Sequence, residues 1–156
     1  MDRSESKNRN DCHCLESGSH IAVFDRGLLD KVLDGKKRFD SRFSKEKCVP
    51  YDSINNGDTI YLKEKGGPVV AKAKADNIKF YANLNDEKIR IFKYTYSSIL
   101  LMDNDFWNRE KDSQYATLFA LKDVQGIPPI SIHDSDHLSW IILNEDNNNC
   151  ECFEVP

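Results

Sequence analysis

The chain has 156 residues, of which 39% are hydrophobic and 31% charged, with a formal net charge of −4. That length carries one domain with a real core, and no apolar run approaches the ~20 residues needed to span a bilayer. The net charge argues against general adhesion to nucleic acid, but 12 basic and 7 acidic residues lie between Lys31 and Lys79, whereas the stretch from Asp123 onward has 7 acidic residues and no Lys or Arg. The expectation is a local basic face on an otherwise acidic protein.

Residues 1–18 are polar and charged with a single leucine, and read as a disordered tail. They lack the apolar region of a signal peptide, so a cytoplasmic protein is expected. Order is expected to start at the apolar strand Ile21–Phe24. Leu28, Leu29, Val32 and Leu33 then make an apolar stripe on a short helix, and Gly35 sits where a helix-ending glycine belongs. Residues 36–43 alternate as a strand, with Arg38, Asp40 and Arg42 on one face and Lys37, Phe39, Ser41 and Phe43 on the other. A loop over 44–58 ends in the turn signal Asn55-Asn56-Gly57-Asp58.

Residues 59–64 form the next strand. Residues 69–81 are the clearest half-buried one, with Val69, Ala71, Ala73 and Ala75 facing in. Residues 84–101 are expected to be helical, although Tyr94-Thr95-Tyr96 disfavours it. Residues 115–124 are apolar on both faces, as in a central strand. Pro128-Pro129 is expected to break the chain, 138–143 to form a last strand, and 144–156 to be an acidic tail. The ordered domain is thus 19–143. Several short strands at close spacing with few crossovers favour an α+β fold, a small mixed or antiparallel barrel flanked by helices.

The functional signal is Gly35-Lys36-Lys37-Arg38-Phe39-Asp40-Ser41-Arg42, five charges in eight residues. Lys37 can hold a phosphate or acyl oxygen, or act as a base if desolvated. Arg42 can grip phosphate or carboxylate in a fork. Asp40 can accept from a base edge, or simply pair with Arg42. Strict alternation separates Lys37 from Asp40 and Arg42. The three converge only if the chain turns after Gly35 or if Lys37 precedes the strand.

Gly35-x-Lys37-x-x-Asp40-x-Arg42 resembles the G-x-K-x-x-E-x-R motif of the ASCH family in the PUA-like superfamily, with Asp40 in place of Glu. Gly57-Asp58-Thr59-Ile60 is similar to the family's following G-D-x-I turn and strand. The resemblance covers roughly 20–143 and implies a PUA-like barrel whose cleft, between barrel and helices, binds RNA, a nucleotide or a modified nucleoside. It also implies a rival reading as a hydrolase. Some members resemble amidohydrolases of N4-acetylcytidine, with a Lys-x-x-Thr pattern that Asp40 does not satisfy and a helical-region Glu, here Glu87 or Glu110. Others are reported as ribonucleases, for which Lys37 would need a hydroxyl such as Ser113 or Tyr115. A protein-interaction domain with a vestigial cleft is the third reading.

Further candidates border such a cleft. Arg38 adds charge to the octet. Trp107 and Arg109 could stack on a base and hold its phosphate, although Trp107 is also compatible with peripheral core. Tyr61 could line the cleft or merely pack. Cys12/Cys14 and Cys150/Cys152 could bind zinc if the termini met, but C-x-C leaves little room to aim both sulfurs, and free thiols are expected. His133-Asp134-Ser135-Asp136-His137 reads as a loop rather than a metal site. No metal, cofactor or membrane partner is expected.

Overall fold

Alternate residues of the most buried strands serve different cores. The computed structural model describes residues 15–132 and 138–143 and the backbone of Cys150–Cys152. In chain order the elements are β1 (His20–Phe24), α1 (Leu28–Leu33), β2 (Phe39–Ser44), β3 (Thr59–Glu64), β4 (Val69–Tyr81), α2 (Asp86–Leu100), α3 (Asn104–Arg109), β5 (Tyr115–Ile132), β6 (Trp140–Ile142) and β7 (Cys150–Cys152). Ala22 and Phe24 of β1 enter a central core with Ile60, Leu62, Ala71, Ala73 and Phe119. Ile21 and Val23 enter a second with Tyr61, Val69 and Ile130. Ala116 and Leu118 of β5 face a third, against α2 and α3.

The sheet order is β2-β5-β4-β3-β1-β6, with β7 added beside β5. β1 and β3 run parallel and the other pairs antiparallel. The sheet curls into a half-barrel, so that β2 at one end approaches β1 and β6 at the other. Arg42 of β2 reaches Val23 O in β1 and Ser139 O just before β6. The α+β barrel-like architecture expected from the strand spacing is therefore present.

Local chemistry explains the boundaries. Gly35 has φ +83° and its N–H donates to Val32 O, which ends α1 where a side chain would be strained. Asn85 caps α2 by accepting from Lys88 N–H. The helix runs through Tyr94-Thr95-Tyr96 despite their propensity, because Phe92 and Tyr96 pack against each other at 4.8 Å and Phe92 meets Phe43, Tyr81 and Trp107. Tertiary packing outweighs a few tenths of a kcal/mol per residue of propensity.

Three expectations are corrected. Pro128-Pro129 does not end its strand. Between the pairs Ala71↔Gly126 and Val69↔Ile130, β5 advances four residues while β4 advances two. This bulge takes up the prolines without a ladder donor from either. The ordered chain also begins before residue 19, since Leu15 is buried in the second core and Gly18 N–H donates to Leu143 O. A lone leucine among polar residues carried no periodic signal. Finally, β7 lies inside the stretch read as an acidic tail and pairs with β5. Cys12, His13, Cys14 and the run 133–137 lie outside the described residues, as do the side chains of Cys150 and Cys152.

Among the described residues no helix is long and apolar enough to cross a membrane. Phe92→Ala is expected to cost about 3–5 kcal/mol in urea unfolding, because it empties the centre of the aromatic cluster. Tyr94→Ala, at a residue 89% exposed, is expected to change stability by less than about 0.5 kcal/mol.

Candidate functional site

Lys37 precedes β2, as one of the two conditions for convergence required. Gly35 turns the chain, and Lys37 N–H donates back to Lys31 O at 2.9 Å. The Lys37 side chain then runs inward and is 0% exposed. Its Nζ donates to Leu100 O at the C-terminal end of α2 and lies 3.7 Å from Met102 Sδ and 3.5 Å from Asp40 Oδ1. A cation there meets the negative end of the helix dipole. Burial pulls the Lys37 ammonium below its usual range, against the opposing pull of Asp40, and Arg42 lowers it further.

Asp40 joins the two cations. Its Oδ2 accepts from Arg42 Nε at 2.8 Å, while Oδ1 faces Lys37. Arg42 Nη1 donates to Val23 O at 3.0 Å and Ser139 O at 2.9 Å. Its guanidinium lies 5.0 Å from the Phe24 ring centroid and 5.2 Å from that of Trp140. Trp140 is held in turn, because its Nε1 donates to buried His20 Nδ1 at 3.0 Å and His20 Nε2 meets Asp58 Oδ2 at 2.9 Å. The Gly57-Asp58 turn noted in the sequence thus supports the platform beneath Arg42. Nε and Nη1 are engaged, and Nη2 has no partner among the described residues.

A cavity of about 170 Å³ lies along this seam, bordered by Asp40–Ser44 of β2, by Val23, Asp25 and Ser139, by Cys48–Pro50 of the following loop, and by Met102, Phe106, Arg109 and Glu110. A neighbouring cavity of about 310 Å³ shares Asp25, Met102 and Arg109 with it and adds Arg26 and Lys31. The seam is not a basic cleft: Arg42 and Arg109 face Asp25, Asp40 and Glu110 across it. Among the described residues no lysine lines this pocket: Lys37 and Lys63 are buried, Lys31 lines the neighbouring cavity, and the other lysines between residues 31 and 79 lie at the surface.

The structure brings Asp40, Arg42 and Arg109 to one pocket, and sets Lys37 behind its Asp40 and Met102 wall, where Lys37 borders a different cavity. It separates the others. Arg38 lines a different cavity, of about 510 Å³, and donates to Gly35 O. Tyr61 is 5% exposed in the second core. Trp107 is 4% exposed among Phe43, Phe92 and Phe106, so its ring is not open to a base. All three depart from the expectation: Arg38 lies in the segment before β2 and turns back to Gly35, while Tyr61 of β3 and Trp107 of α3 are packed into cores.

The two candidate glutamates, Glu87 and Glu110, lie in different surroundings. Glu87 is exposed on α2, whereas Glu110 walls the seam. Glu110 Oε1 accepts from Ser113 Oγ at 2.9 Å. Burial pushes its carboxyl up, against the smaller lowering effects of Ser113 and Arg109. Ser113 is buried in that bond, and Tyr115 packs on Tyr51 at 5.0 Å, so neither hydroxyl lines the pocket. Asp25 and Ser139 escaped the sequence reading because each is a lone polar residue at a strand end, which carries no spacing signal. Among the described residues no cluster of three or more His, Cys, Asp or Glu could hold a metal ion.

Solved structures share this architecture. An ASCH protein from Zymomonas mobilis superposes with a TM-score of 0.63 at 15% identity, covering 85% of this chain and 92% of the other. Its tyrosine-to-phenylalanine variant gives 0.63 at 15% identity, over 83% and 93%. Its serine-to-alanine variant gives 0.62 at 13%, over 83% and 91%. The chain therefore has the fold of these ASCH structures. No protein-family model and no curated protein matches it in sequence.

Two outcomes test the site. Arg42→Lys keeps the charge but loses the bridge to Val23 and Ser139, and is expected to cost about 3 kcal/mol in chemical denaturation. Glu110→Gln is expected to stabilise the fold near neutral pH. The folded-state pKa of Glu110 is raised, so its ionised form is a cost to folding above that value, and the cost vanishes as pH falls through it. Unfolding midpoints compared at neutral pH and below the ordinary glutamate value of 4.5 should show the advantage of Glu110→Gln disappear with acidification.

Proposed function

We propose that this protein binds RNA by taking one unpaired nucleotide into the seam pocket. The observation that carries the reading is the pocket's balance of charge. Two arginines and three carboxylates around about 170 Å³ suit a flat ring with donors and acceptors on its edge, and suit a polyphosphate poorly. The ASCH fold supports the same class of ligand. In this reading exposed Arg109, only loosely paired with Asp25 at 3.8 Å, takes the flanking phosphate, and Arg26 and Lys31 of the adjoining cavity extend that track.

A second reading, hydrolysis of an acylated nucleoside such as N4-acetylcytidine, is favoured by one feature. Glu110 is a carboxyl of raised pKa on the pocket wall, as general acid–base chemistry requires. In that reading Glu110 moves the proton, because Lys37 does not line the pocket. Loss of turnover in Glu110→Gln with binding retained would select it.

For binding, fluorescence anisotropy of a labelled single-stranded RNA is the measurement. With two or three phosphates held, log affinity is expected to fall against log salt with a slope of about −2. Arg109→Ala is expected to weaken binding about tenfold and to reduce the slope by about 1. Retention of both slope and affinity in Arg109→Ala would sink the proposal.

A further inference from the structure

The seam pocket touches five consecutive residues of β2, Asp40–Ser44, and so meets both faces of the strand. A cavity does that only when it lies along a strand's open edge. β2 is the last strand of the sheet and pairs only with β5 among the described residues. The phase of that ladder is fixed by Leu121 N–H donating to Arg38 O at 2.8 Å. Antiparallel alternation then turns the main-chain groups of Asp40 and Arg42 toward β5, and those of Ser41 and Phe43 away from it, toward the seam.

The outward N–H and C=O of Ser41 and Phe43 have no partner among the described residues. Ser41 is only 3% exposed, and its Oγ is buried without a partner as well. Buried main-chain donors and acceptors are satisfied in more than about 90% of cases, so this edge is set to receive polar groups. A further strand does not fit there, because Arg42 crosses the seam to Val23 O and Ser139 O.

We infer that the main chain of Ser41 and Phe43 reads the pairing edge of the bound nucleobase, which stands where the next strand of the sheet would. This rests on the proposed uptake of a nucleotide and names what recognises it. An extended residue presents an N–H beside a C=O. A lactam edge, as in uracil or guanine, offers the complementary C=O and N–H. The specificity then belongs to the backbone geometry of the edge, and methylation of the ring nitrogen on that edge blocks it.

The test is a ¹H–¹⁵N titration of the full chain with uridine and guanosine, repeated with 3-methyluridine and 1-methylguanosine, whose methyl groups leave the base neutral. The Ser41 and Phe43 amides are expected to shift among the most strongly, and methylation to weaken binding about tenfold or more, the penalty of leaving buried polar groups unpaired. If the nucleosides perturb Arg109 and Glu110 while Ser41 and Phe43 stay still and the methylated forms bind equally well, the edge reading fails and the pocket reading stands. If no nucleoside perturbs any seam amide at millimolar concentration, both fail.

Discussion

An unclosed barrel needs something to hold its two ends together, and here the Arg42 guanidinium does it. The ends are β2 on one side and β1 with β6 on the other, and among the described residues no ladder of main-chain hydrogen bonds joins them. Arg42 is anchored on Asp40 by Nε and reaches Val23 O and Ser139 O by Nη1, over the rings of Phe24 and Trp140. A planar fork of donors spans such a gap, and a flexible ammonium does not. The side chain is 14% exposed, so these bonds act where water competes little. Asp40 passes the same constraint on to Lys37 and, through Leu100 O, to the end of α2. Sheet, seam and helix layer are tied at one carboxylate.

The pocket is the residue of that arrangement. Because one side chain rather than a strand closes the seam, space remains beside it, and the edge of β2 stays unpaired among the described residues. Two kinds of polar group therefore meet in one small volume: side chains fixed by their own ion pairs, and main chain left over from the sheet. Asp40 and Lys37 are largely consumed in structure. The groups with capacity to spare are Arg109, Glu110, Arg42 Nη2 and the peptide groups of Ser41 and Phe43. This division matters for chemistry, since the Lys37 side chain is 0% exposed and engaged with Asp40 and Leu100 O, while the Glu110 carboxyl is half-buried at the pocket wall.

The network also runs behind the site. Asp58, His20 and Trp140 form a relay of two hydrogen bonds that fixes the ring under Arg42. The elements involved are the turn before β3, the start of β1 and the start of β6, which are far apart in the chain and adjacent in the curled sheet. Substitutions at the Gly57-Asp58 turn therefore act on the seam through the Trp140 platform and not through contact with a ligand.

The chain's own pattern determined most of the elements. β3 and β4 follow directly from alternation, α1 from its stripe and Gly35, and the helical nature of 86–100 from its spacing despite the tyrosines. The octet was also legible as a centre of interaction, because charge density after a helix-ending glycine is a local property. What the chain did not reveal was direction and partnership. Whether Trp107 faces solvent or core, whether Arg38 joins Arg42, and which glutamate reaches the pocket depend on how helices and sheet edges are set against each other, and that is decided by packing among residues a hundred positions apart. The bulge that absorbs Pro128-Pro129 is of the same kind, since it exists only relative to β4. Above all, the open edge of β2 has no sequence signal: an edge strand and a central strand obey the same alternation, and only the curl of the finished sheet decides which main-chain groups are left without a ladder partner among the described residues.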